Sequence, residues 1–114
     1  MNVVVLRGML SRPAEERVLG SGTRLVSLEV RVRRPGEKAD SVPVAWFDPP
    51  PAFPLLTEGD EVVVVGRVRR RFFRAGSGTN SRTEVAADRV VPARQRKKAA
   101  DAVDAAVTLI EAGG

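Results

Sequence analysis

Apolar positions recur along most of this chain with a period of two. Between Arg24 and Arg33, Val26, Leu28, Val30 and Val32 point one way, while Leu25, Ser27, Glu29, Arg31 and Arg33 point the other. That alternation marks a strand with one buried and one wet face. Residues 2–10, "NVVVLRGML", read as a strand bent at Gly8, and a short strand fits Glu16–Leu19. "SVPVAWF" (41–47) is a further strand in which Pro43 cannot donate to a ladder, so either the strand is an edge or the proline sits at a bulge. "EVVVVGRVRRRFF" (61–73) is a long strand, apolar on both faces at its start and basic at its end. "RAGSGTNS" turns the chain, and "RTEVAADRVV" (82–91) brings it back. Five principal strands with turn-rich connections predict an all-β fold. A small closed barrel fits better than a sandwich, which needs about seven strands.

The period changes only near the end. Ala99, Val103, Ala106, Val107 and Ile110 stand at helical spacing, which predicts an amphipathic helix over 95–111, ended by Gly113–Gly114. Its basic residues come first and its acidic ones last, against the helix dipole, so packing on the barrel or on another subunit has to hold it. A disordered tail is the competing reading. The expected organisation is a binding domain over 1–92 and an Ala-rich helix or tail over 93–114. "DPPPAFPLLTEGD" (48–60) is too rich in proline for a regular helix over most of its length.

Charge narrows the choice of partner. The 114 residues include 19 Lys and Arg against 14 Asp and Glu, a formal charge of +5, and 16 of the 19 cations are Arg. A basic balance favours polyanions, and Arg forks onto phosphate and stacks on flat rings where Lys does neither well. Arg-favouring codon usage is the bland origin of the same bias. With no His, Cys or Tyr, the usual nucleophiles and neutral-pH bases are missing. The adjacent carboxylates Glu15–Glu16 and Asp60–Glu61 point to opposite strand faces, and Glu84 with Asp88 is too few for a metal. The two "GSG" clusters lack the features of a phosphate loop and read as turns. No enzyme, cofactor, metal or small-molecule substrate is expected. "MNVVVLRGML" has no basic leader region and no window reaches membrane length, so a cytoplasmic, nucleoid-associated protein is the expectation.

The densest chemistry lies in "GRVRRRFFR" (66–74), five arginines and two phenylalanines in nine positions. Alternation groups Arg67, Arg69, Arg71 and Phe73 on one side, and Val68, Arg70 and Phe72 on the other. The first side can track a sugar-phosphate backbone while the ring stacks on a base. On this reading Phe73 faces outward and Phe72 plugs the barrel. Arg31 and Arg33, with Arg34 beyond them, extend the basic surface if the strands share one curved sheet. Arg74 adds to it, and Arg7 and Arg67 are lesser candidates.

In order and spacing the chain resembles the bacterial single-stranded DNA-binding protein family, built on the oligonucleotide-binding (OB) fold. The resemblance runs over residues 2–91. It rests on Asn2, Val4, Leu6, Gly8 and Leu10; Pro13, Glu15 and Arg17; Ser21–Gly22; "VAW" at 44–46; "GDEVVVVGRVRRR" at 59–71; and "TEV" at 83–85. It implies a five-stranded barrel with a long hairpin between the fourth and fifth strands. It also implies sequence-tolerant binding of single-stranded DNA in replication, recombination or repair, by a homotetramer or, failing that, a dimer. Trp46 and Phe73 match the family's stacking positions at the ends of the third and fourth strands. Two other stacking rings are missing near Gly36 and Asp40–Ser41, where Arg33 and Arg34 are expected to substitute in part. "FDPPPAFPLL" replaces the family's helix after the third strand, and "TLIEAGG" carries no acidic tip, as expected of a secondary member. The expected DNA-binding set is therefore Arg31, Arg33, Arg34, Trp46, Arg69, Arg71, Phe73 and Arg74. The alternative is an OB-fold protein-interaction or assembly module with weak binding to DNA or RNA.

Overall fold

The computed structural model describes residues 1–113 apart from Pro54. Its strands are β1 (Val4–Leu10), β2 (Glu15–Val18), β3 (Arg24–Val32), β4 (Asp40–Phe47), β5 (Glu61–Ala75) and β6 (Gly78–Pro92), followed by one helix, α1 (Arg96–Glu111). They form a mostly β molecule with six strands rather than five principal ones, the short run after Ala14 pairing with β3 as β2. The sheet order is β1-β5-β6-β4-β3-β2, and β1 also meets β3 through Met9–Arg31 and Leu10–Val30, which closes the sheet into a ring. The arrangement is consistent with an OB-like fold.

Closure requires β1 and β3 to pass closely, and Gly8 permits it: a Cβ there would run into the Arg31 carbonyl. Gly66 plays the same part on β5, where a Cβ would meet the Ala86 carbonyl beside the register shift between Val65 and Gly66. Pro43 is tolerated although β4 is no edge. The ladder from β4 to β6 covers only Val44 and Ala45, so the proline lies outside it.

The double-faced apolar start of β5 has a simple cause. Val62 and Val64 point into the ring with Val26, Val30, Val44 and Trp46, whereas Val63 and Val65 point outward beneath α1. There Ala99, Ala102 and Ala106 cover Val63, Val65 and Val91, so the helix lies on the sheet rather than free of it. Its Gln95 cap makes no side-chain bond, its first turn has no acid and its last no base, so burial of this alanine face holds it. No helix occurs among the described residues of 48–60; that stretch instead sends Phe53 against Trp46, with ring centroids 5.3 Å apart, and Leu56 into the core.

Past Gly66 the β5–β6 hairpin leaves the body. Asn2 marks the point of departure. Its side-chain amide donates to the Val68 carbonyl at 2.7 Å and its carbonyl accepts from the Val68 N–H at 2.9 Å, copying one rung of a strand. From Arg69 onward β5 pairs only with β6, through to Ala75 and Gly78.

Candidate nucleic-acid interface

The hairpin concentrates the charge of the chain. Residues 67–84 hold six arginines and one carboxylate, Glu84, which accounts for the whole formal excess of +5. Strand alternation puts Arg69, Arg71 and Phe73 on the face that looks toward β4. Glu84 stands directly opposite Arg69 on β6. It is only 3% exposed and takes both guanidinium groups, Arg69 at 3.3 Å and Arg71 at 3.2 Å, one on each carboxylate oxygen. The Arg69 guanidinium carbon lies over the ring of Phe47, 4.5 Å from its centroid, and that of Arg71 is 5.9 Å from the centroid of Phe73. Ring, guanidinium, guanidinium and ring thus form one ladder from β4 to the hairpin, pinned at its centre by a buried acid. The Nε atoms of both arginines are shielded from solvent without a hydrogen-bond partner among the described residues.

Beside the ladder runs a trough of about 240 Å³ between the β2–β3–β4 face and the hairpin. Arg12, Arg17, Arg71 and Arg82 line it with Glu15, Glu16 and Glu84, so its walls are nearly charge-balanced. Arg12 is held by Glu29 at 3.2 Å. Arg24 donates to Glu16 at 2.6 Å, and this bond keeps the Glu16 carboxyl below its ordinary value and the Arg24 guanidinium above its own. Arg17, Arg70, Arg74 and Arg82 have no carboxylate partner among the described residues, and Arg82 faces Arg71 across the hairpin. Like charges so placed repel; Glu84 relieves this for Arg71, while no carboxylate among the described residues pairs with Arg82.

Several expectations change here. Trp46 is 5% exposed and pairs in register with Val26, so its ring belongs to the core and offers no face to a base. Because successive side chains alternate, Phe47 takes the outward position in its place. Phe72 is 67% exposed and plugs nothing: it lies on the part of β5 that has left the body, where the inward face has no interior to fill. Phe73 is 40% exposed, outward as expected, so the hairpin bears a ring on each side.

Arg31 and Arg33 do not join the ladder. They line a separate cavity of about 520 Å³ with Arg7 and Met9, across the Arg12–Glu29 pair from the trough, so the basic surface is not continuous. Arg33 donates to the Glu37 carbonyl at 3.2 Å, and Arg34 pairs loosely with Glu37 at 3.9 Å, a local turn rather than a stacking pair. Arg7 is bound to Glu61 at 2.6 Å and Arg67 to Asp88 at 3.6 Å. Among the predicted residues, then, the fold brings together Arg69, Arg71 and Phe73, with Arg74 at the hairpin tip. It adds Phe47, Arg17, Arg82 and the counter-ion Glu84. Phe47 carried a signal in the sequence, since of two consecutive aromatic residues on a strand one has to face outward.

No family model matches the chain, and no curated protein matches it either. Among solved structures, the N-terminal domain of a PriB protein from Thermoanaerobacter tencongensis, described as dimeric, superposes with a TM-score of 0.65 over 80% of this chain and 94% of that one. The two are 22% identical, a likeness that reaches the fold.

Proposed function

We propose that the chain binds single-stranded nucleic acid, DNA in the first place, without reading its sequence, through the Phe47–Arg69–Arg71–Phe73 ladder and the arginine-rich hairpin around it. The ladder carries this reading. Two flat rings flanking a pair of flat cations suit the stacked faces and phosphates of an unpaired strand, and every base has such a face. Arg17, Arg82, Arg70 and Arg74 supply phosphate contacts on either side. Turning Arg69 or Arg71 toward a phosphate would also give their shielded Nε–H groups a partner, each unmet donor costing about 1–3 kcal/mol. Binding involves no catalysis and no cofactor, and it places the protein among those that handle exposed strands in replication, recombination or repair. The OB-type barrel of the single-stranded DNA-binding proteins, and a homo-oligomeric working form, belong to the same reading.

The test is titration of labelled oligo-dT across a salt series, beside a duplex of equal length. Preference for the single strand is expected, with a log–log salt slope of about −2 to −4 for the handful of arginines involved. Phe47→Ala with Phe73→Ala should weaken it by about 2–4 kcal/mol at unchanged fold. Equal affinity for duplex, or an unaffected double variant, refutes the assignment. Binding already lost at physiological salt would favour the protein-interaction module instead, a reading supported by the carboxylates that already occupy Arg12, Arg69 and Arg71.

A further inference from the structure

Helix α1 carries two apolar stripes and its own chain uses one. Ala99, Ala102 and Ala106 face the sheet, while Ala100, Val107 and Ile110 are exposed and Val103, half-buried, packs on the edge of the sheet cluster and borders both stripes. Together with Arg96 these form the spacing 96, 100, 103, 107, 110, alternating steps of four and three, which is the seam of a helix that packs lengthwise on another helix. A groove of about 340 Å³ runs beside this seam against β1, lined by Val5, Val63, Ala100 and Val103. The described residues leave it open, with Val5 exposed at its edge.

We infer that a second copy of this chain covers the stripe, α1 packing antiparallel on its counterpart about a two-fold axis near Val103–Asp104. This rests on the homo-oligomeric reading above and supplies its surface. The charge order selects the occupant. Arg96, Lys97 and Lys98 open the helix and Glu111 closes it, an order that opposes the dipole of a lone helix. In an antiparallel pair the same order is favourable, because each basic end then lies beside its partner's acidic end. Around the proposed axis Arg96 meets the partner's Glu111, Ala100 meets the partner's Val107, and Ile110 lies along the stem of the partner's Lys97. The contact is isologous, so each pairing occurs twice. The helix is about 24 Å long, and with β1 alongside it offers a patch at the small end of specific interfaces.

Sedimentation of the full chain over a concentration series tests this, with Val107→Asp, Arg96→Glu, Glu111→Arg and the double variant Arg96→Glu/Glu111→Arg. A concentration-dependent dimer is expected. Val107→Asp should weaken it by at least about tenfold, each single charge reversal by about tenfold, and the double reversal should restore it. Both reversals suit the dipole of the isolated helix, so a weakened dimer cannot be charged to a lost helix, and circular dichroism would confirm that. Arg96 and Glu111 stand fifteen residues apart on one helix and cannot touch, so rescue by the double variant can only act between chains. A chain that stays monomeric at every concentration overturns the inference together with the homo-oligomeric reading. An oligomer indifferent to all four variants overturns the helix interface alone and leaves that reading standing.

Discussion

Replacing Glu84 by glutamine keeps the shape of the side chain and removes the charge that pins the ladder. Breaking a fully buried ion pair by deleting one partner costs about 3–5 kcal/mol. Arg69 and Arg71, however, keep 31% and 29% of their side chains exposed, so both can regain water when the carboxylate is gone. Glutamine still accepts from one of them. What is lost is the ion pair with Arg71 and the charge assistance of the Arg69 hydrogen bond, about 2–3 kcal/mol after allowance for that exposure. Unfolding entropy of about 2.1 cal/mol/K per residue over 114 residues converts each kcal/mol into about 4 °C, so Tm should fall by about 8–12 °C. Binding should move the other way. One negative charge leaves the centre of the proposed site, about one more phosphate is neutralised, and the salt slope for oligo-dT steepens by about 0.7. Differential scanning calorimetry and the salt series together read both signs. A lower Tm with an unchanged slope would show that Arg69 and Arg71 do not face the strand. A Tm equal to or above that of the parent would refute the pinning itself.

Further expectations follow from the packing. Gly66→Ala forces a methyl into the Ala86 carbonyl across the β5–β6 ladder, and backbone cannot step aside as a side chain can, so a loss of about 3 kcal/mol or more is expected in urea unfolding; a parent-like midpoint would contradict the close approach. Trp46 is buried against Phe53, so its emission should be blue-shifted and nearly unchanged on adding oligo-dT, whereas strong quenching would bring that ring back to the bases. Glu16 is held below its ordinary value by Arg24, so the pair contributes at neutral pH and its contribution is lost as pH falls through the depressed value. A carboxyl NMR titration of Glu16 that returns an ordinary midpoint, or Arg24→Ala leaving it unmoved, would contradict that bond.

Much of the fold was legible because burial on one face leaves a period in the sequence. The alternation of β3, the hairpin and the late helix all declared themselves this way. Where the period failed, the cause was geometry it does not encode. Alternation separates Phe72 from Phe73 but does not tell that the body of the molecule ends near Val68, so an inward face reads as an interior. Pro43 obscured the facing of β4, and only its register against Val26 settles Trp46 as core and Phe47 as surface. The arginine count overstated the basic surface for a similar reason. Arg7 meets Glu61 across two strands, and Arg12 reaches Glu29 of β3 from the turn after β1; no local pattern announces either pair. Glu84 was visible as a neighbour of the hairpin, but its hold on two arginines at once depends on its burial.

The rung supplied by Asn2 divides the molecule into two cooperative units. Up to Val68, opening β5 means breaking the ladder to β1 and exposing the core, so those amides should exchange with solvent only through global unfolding. Beyond it the hairpin is a two-stranded ribbon, and such a ribbon is marginally stable when isolated. It can fray from its tip and close again while the ring stays folded, with Glu84 as its last fastening before the body. A strand lying along the ladder would therefore be gripped by an element that opens far more often than the protein unfolds, and hydrogen exchange at Arg70–Ala75 would slow when the strand is bound.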